Sequence, residues 1–183
     1  MATQATIKAY GLTLCRDEGG AVAAMQPVVQ ARRIPIAAGS ESRVSADLRR
    51  LGMALEERFP SLESIEALCR VGPEEHLGDE IPGLILLHRR LPVWLALFDE
   101  TVFVSIDTEP LDSNPRARVR QAHEIIECLR SAGYAVVVDV QTGGVDPDGV
   151  TEHDLASRVA ARGARRGFAV NVKQWTARAR TDP

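Results

Sequence analysis

Two carboxylates one residue apart, Asp107 and Glu109, follow the apolar run Thr101 to Ile106. Acids at the end of a strand are the residue type that holds divalent cations. A pair of such cations can clamp the attacking and leaving oxygens of a phosphoryl transfer. A second group is Gln141-Thr-Gly-Gly144, which also follows an apolar run and could turn backbone N–H groups toward a phosphate. It lacks the Gly-Lys-Ser/Thr ending of a P-loop and the spacing of a dinucleotide fingerprint, and no helix follows it at once. Asp146-Pro-Asp-Gly149 reads as a turn, with Pro at its second position and Gly at its fourth. His76, His88, His123 and His153 have no His or Cys partner at the spacing zinc requires. No Gly-x-Ser-x-Gly elbow presents a serine nucleophile. Cys128 lies beside an apolar stripe and reads as a small buried hydrophobe.

The segment Asp107-Thr-Glu109 is similar to the first metal-binding motif of the DEDD-type exonucleases, which implies a metal-dependent phosphodiesterase or nuclease using Asp107 and Glu109. The sequence departs from that family in three ways. Pro110 and Pro115 lead into a helix rather than a strand meander. A long stretch of chain precedes the motif. The later pairing of His or Tyr with Asp is missing, since Arg158 and Val138 stand where an acid is needed. A solvated strand-end loop is the simpler reading, so neither a metal nor another cofactor is expected.

The elements that position these acids are well marked. Thr101 to Asp107 and Tyr134 to Val140 are rich in Val and Ile and predict strands. Between them Asn114 suits an N-cap, Pro115 the first helical position and Gly133 the left-handed C′ position. Val119, Ala122, Ile126 and Leu129 then form one apolar stripe at helical spacing. Two strands joined by a helix are most simply parallel, with a right-handed crossover, and would end at one edge of the sheet. The loop carrying Asp107, Glu109 and Asp112 would thus neighbour the loop carrying Asp146 and Asp148. These five acids are the candidate partner-binding residues. Val119, Ile126, Leu129, Val136 and Val138 are expected to be buried together.

Along the rest of the chain, Thr6 to Cys15 predicts a strand, and Ala21 to Gln30 a helix interrupted by Pro27. Arg32 to Gly39 predicts an edge strand or loop. A helix is expected from Arg43 to Phe59, capped by Ser42, and a short further helix from Ser61 to Leu68. Residues 71–82 read as a loop. Leu84 to His88 and Val93 to Phe98 predict strands, the second turning at Asp99-Glu100 into the strand from Thr101. Thr151-Glu-His-Asp154 has the spacing of a capping box for one more helix, and Phe168 to Val172 predicts a last strand. The fold class expected is α+β. Residues 1–172 are expected to form a single domain whose mixed sheet carries helices mainly on one face and contains a β-α-β unit over 101–140, and residues 173–183 a polar tail.

Composition narrows the function. The chain has 183 residues, 45% apolar and 26% charged, enough to bury a core without staples. A formal net charge of −3 argues against a dedicated nucleic-acid binder. The basic group Arg158, Arg162, Arg165 and Arg166 reads as a solvated face, with few aromatics nearby for stacking. No apolar run reaches the length of a membrane span, no secretory signal opens the chain, and Cys15, Cys69 and Cys128 are unpatterned. A cytoplasmic protein with no membrane partner and no nucleic-acid partner is expected.

Two segments resemble the immunity proteins of bacterial polymorphic toxin systems. One is the helix from Arg43 that ends Leu55-Glu-Glu-Arg-Phe-Pro-Ser-Leu62. The other is Val102 to Gln141, ending Ser131-Ala-Gly-Tyr-Ala-Val-Val-Val-Asp-Val-Gln141, where Asp139-Val-Gln141 stands in place of that family's Asp-Pro-Gln. The resemblance implies a binding or inhibitor protein that occludes a toxin's active site, with a protein partner and no catalytic residues to carry over. A structural or phage-assembly role is the other non-enzymatic alternative.

Overall fold

The computed structural model describes residues 9–17, 28–33, 43–72, 78–91, 93–107 and 115–161. They form eight strands and three helices: β1 (Ala9–Cys15), β2 (Val28–Arg33), α1 (Ala46–Arg58), β3 (Leu62–Gly72), β4 (Ile81–His88), β5 (Val93–Leu97), β6 (Thr101–Asp107), α2 (Pro115–Ser131), β7 (Val136–Asp139), β8 (Val145–Asp146) and α3 (Glu152–Ala161). The strands make one sheet in the order β2-β3-β4-β5-β6-β1-β7-β8. The fold is α+β, as expected.

The sheet differs from expectation in one respect that matters for the site. β6 and β7 are not neighbours. β1 lies between them and pairs antiparallel with both, so Leu12 faces Val104 on one side and Asp139 on the other. β6 and β7 therefore run parallel to each other, as a strand-helix-strand unit requires, but every hydrogen-bonded pair among the described strands is antiparallel. The mixed sheet read from the sequence is corrected to that extent. A unit of this kind leaves a slot one strand wide, and β1 fills it.

The helices share one face. Leu48 and Leu55 of α1, Val119, Ala122, Ile125, Ile126 and Leu129 of α2 and Leu155 of α3 join one apolar cluster with Leu12, Leu86, Leu95, Val104 and Val137 of the sheet. The alternate residues of the same strands, among them Ile85, Ala96 and Phe103, form a second buried cluster on the other face. Val136 and Val138 belong to this other side, packed with Cys15, while Val137 meets α2. All four residues of β7 are buried. A strand apolar on both faces carries no alternation to reveal which side faces the helix, and the grouping of Val136 and Val138 with Leu129 fails for that reason.

Local signals hold at several ends. Gly133 has φ 101°, the left-handed conformation that closes α2. Thr151 caps α3 by accepting from Asp154 N at 3.1 Å. Phe98 N donates to Thr101 O at 2.8 Å, closing the turn at Asp99-Glu100. Other expectations fail. The cap of α1 is Ser45, whose Oγ accepts from Leu48 N at 3.2 Å, and not Ser42. Residues 28–30, expected at the end of a helix, begin β2. The stretch from Ser61 to Leu68, expected as a helix, instead enters β3, which pairs with β4 from Leu62 and with β2 from Ala67. That strand runs on to Gly72, and β4 begins at Ile81, so both intrude on the expected loop at 71–82. The expected strand at Phe168 to Val172 and the polar tail lie outside the described residues.

Candidate functional site

β6 and β7 run the same way, so their carboxyl ends lie at one end of the sheet, the end expected to hold the candidate acids. What organises that end is Asp139, the last residue of β7 and only 4% exposed. A buried carboxylate must be satisfied from several directions. Its Oδ1 accepts from the backbone N–H of Gln141 at 2.8 Å and of Thr142 at 3.3 Å, which fixes the turn that leaves the strand. Its Oδ2 accepts from the hydroxyl of Tyr10 at 2.9 Å. Arg158 Nη1 stands 3.6 Å from the same oxygen.

Arg158 reaches this point from α3 and takes up a second acid. Its Nη1 and Nη2 donate to Asp146 at 2.7 and 3.2 Å, a two-pronged contact between guanidinium and carboxylate. These hydrogen bonds push the Arg158 pKa further up, against the opposing effect of desolvation. The Tyr10 hydroxyl is raised well above its ordinary range, first by burial and then by the negative charge of Asp139, so it remains a donor. The result is a knot of two acids, one cation and one phenol. It ties the start of β1, the end of β7, β8 and α3 together.

The turn beyond β7 is held at several more points. Asp139 N donates to Gly144 O and Gly143 N to Asp139 O, both below 3 Å. The turn read at Asp146-Pro-Asp-Gly149 is present, with Gly149 N donating to Asp146 O at 3.1 Å. Gly149 has φ 86°, a left-handed conformation that favours glycine, and a Cβ there would also press on the Arg130 guanidinium.

The five acids proposed from the sequence fare differently. Asp148 is exposed on this pinned turn. Asp146 is on the turn as well, but its carboxylate is engaged by Arg158. Asp107 ends β6, where its backbone pairs with Ala9. Glu109 and Asp112 lie outside the described residues. Arg158 was expected on a solvated basic face and instead turns inward to Asp139 and Asp146. Arg162, Arg165 and Arg166 lie outside the described residues.

The sequence reading missed Tyr10 and Asp139 as site residues. The available signal was an acid closing an apolar strand just before the turn that carries Gly143 and Gly144, the position from which a carboxylate accepts backbone N–H groups two and three residues on. Buried Arg118 of α2, 3% exposed, also went unnoticed because it stands beside the apolar stripe rather than opposite it.

Among the described residues no group of three His, Cys, Asp or Glu side chains is placed to hold a metal ion. The thiols of Cys15 and Cys69 are pushed up by burial to about 11 and about 12, so neither is poised as a nucleophile near neutral pH. No described helix is long and apolar enough to cross a membrane. Comparison of the chain with models of known protein families, with curated proteins and with solved structures finds no match.

Proposed function

We propose that this is a cytoplasmic binding protein. Its partner presents a basic surface to the end of the sheet where β6 and β7 finish, and the protein inhibits that partner by covering its active site, as an immunity protein covers a toxin's. The observation that carries the reading is the way the β7–β8 turn is built. Asp139 fixes its entry and Arg158 clamps its exit, so the exposed Asp148 is displayed from a turn whose backbone is already ordered. Recognition surfaces gain from such order, because less conformational freedom is lost on binding. The resemblance of Arg43 to Leu62 and Val102 to Gln141 to immunity proteins supports the same reading.

Asp146 serves the platform, so the recognising acids on this reading are Asp148 with Asp107, Glu109 and Asp112. Acids displayed together draw a basic partner and speed its approach. The experiment is to capture the partner and then replace Glu109, Asp112 and Asp148 together with Lys. With the unfolding transition intact, the variant is expected to bind at least about tenfold more weakly, about 1.4 kcal/mol. Unchanged affinity with unchanged salt dependence would remove this end as the interface.

A further inference from the structure

The opposite end of the sheet, where β6 and β7 begin, holds a cleft of about 240 Å³ lined by Arg16, Asp47, Leu48, Arg50, Asp99 and Tyr134, among others. Arg16 is exposed, yet its guanidinium is held in place. Its Nε donates to Asp99 O at 2.7 Å and its Nη2 to the Tyr134 hydroxyl at 3.4 Å. The guanidinium carbon lies 4.5 Å from the centroid of the Tyr134 ring. Tyr134 is itself fully buried, its hydroxyl within donating distance of Phe98 O at 3.0 Å and Asp99 O at 3.2 Å. Arg16 Nη1 has no hydrogen-bond partner among the described residues. A cation already ordered, with one arm of its fork unpaired among the described residues, is prepared for a carboxylate.

The rest of the lining adds the opposite sign. Ser45 Oγ donates to Asp99 Oδ1 at 2.6 Å while capping α1, which ties that carboxylate to the helix end. Asp47 and Arg50 pair with each other along α1. The lining thus holds two cations and two carboxylates, with the partly exposed Leu51 supplying apolar surface beside them. A phosphate would meet both carboxylates, whereas a ligand with separated charges meets complementary partners at each end. The volume lies below the roughly 300–1,000 Å³ of ordinary ligand pockets and suits a very small molecule.

We propose that this cleft binds a small zwitterion of the amino-acid class with a short apolar side chain. Its carboxylate lies on the Arg16 fork, its ammonium toward Asp99, and its side chain against Leu51. The site is separate from the acidic end and does not rest on the inhibitor reading.

The test is an NMR titration of the full chain at low salt with L-valine. Two analogues that each lack one charged group, isovalerate and isobutylamine, are titrated alongside. L-Valine is expected to give saturable shifts at the amides of Arg16, Leu48, Asp99 and Tyr134. Each analogue is expected to bind at least about tenfold more weakly, about 1.4 kcal/mol. Asp99→Asn keeps an oxygen for Ser45 to donate to and removes only the charge, so it should abolish the preference for valine over isovalerate without altering the unfolding transition. Arg16→Gln should abolish valine binding. No saturable shifts, equal binding of all three compounds, or a preference that survives Asp99→Asn would each overturn the proposal.

Discussion

Asp139 receives two backbone N–H groups and a phenol hydroxyl and has a guanidinium nearby, whereas Asp146 receives the guanidinium alone, in a half-exposed setting. The two acids should therefore matter unequally. Hydrogen bonds to a charged group contribute about 1.5–3 kcal/mol each when buried, and partly exposed ion pairs about 0–1 kcal/mol. Asp139→Ala is expected to lose at least ~2 kcal/mol in denaturant unfolding, and Asp146→Ala less than ~1 kcal/mol. The reverse order would mean that Arg158 rather than Asp139 organises the turn. His88 supports a pH prediction. Its Nδ1 accepts the N–H groups of Arg90 at 3.2 Å and Leu91 at 2.9 Å, which requires that nitrogen to be unprotonated. Burial, and then the charge of Arg90, hold its pKa below the ordinary 6.5. Below that value the unfolded chain binds the proton more readily than the folded one, so the contribution of His88 is complete above about pH 6.5 and is lost as pH falls past it. The stability gap between the native protein and His88→Ala should narrow from pH 7 to pH 5. A gap that stays constant would show that the two hairpin bonds do not depend on the ring nitrogen.

At the scale of elements, α2 is the helix most completely committed to the core, with Val119, Ala122, Ile125, Ile126 and Leu129 all buried. Leu129→Ala is expected to cost about 2–5 kcal/mol, and a loss below ~1 kcal/mol would place the wrong face of the helix inward. This helix was legible because its stripe, its proline start and its glycine stop agree with one another. β3 was not legible. Leu62-Glu-Ser-Ile-Glu-Ala-Leu-Cys69 is rich in good helix formers, and Ser61 offers a cap, so every local signal favours a helix. What makes it a strand is pairing with β2 and β4, whose partner residues lie elsewhere in the chain, and propensity yields to such context. The knot at Asp139 was illegible for a related reason. Tyr10 and Arg158 stand far apart in sequence and meet only because β1 enters between β6 and β7. Local chemistry could locate the turn after β7, but not the partners that pin it.

At the scale of the molecule, β1 decides whether the two parts of the sheet become one. It pairs with β6 along its whole length and with β7 along four residues, and no other described strand joins β7 and β8 to the rest. Its inward residues Tyr10, Leu12 and Leu14 belong to the main core, with Leu12 and Leu14 wholly buried. Without β1, β6 and β7 would each present an open edge, and exposed edges invite pairing with other chains. The contacts of β1 are also the longest in sequence among the described strand pairs, the kind of pairing associated with slow folding. Deleting residues 1–17 should therefore abolish the cooperative unfolding transition and leave a chain that associates with itself. A synthetic peptide of residues 1–17 should restore part of that transition, because an added strand finds an open slot with hydrogen-bonding partners on both sides. Circular dichroism during denaturation, with and without the peptide, reads both outcomes. A truncated chain that unfolds cooperatively at an unchanged midpoint would show that β7, β8 and α3 hold to the sheet through α2 alone, and that the strand inserted between β6 and β7 is dispensable.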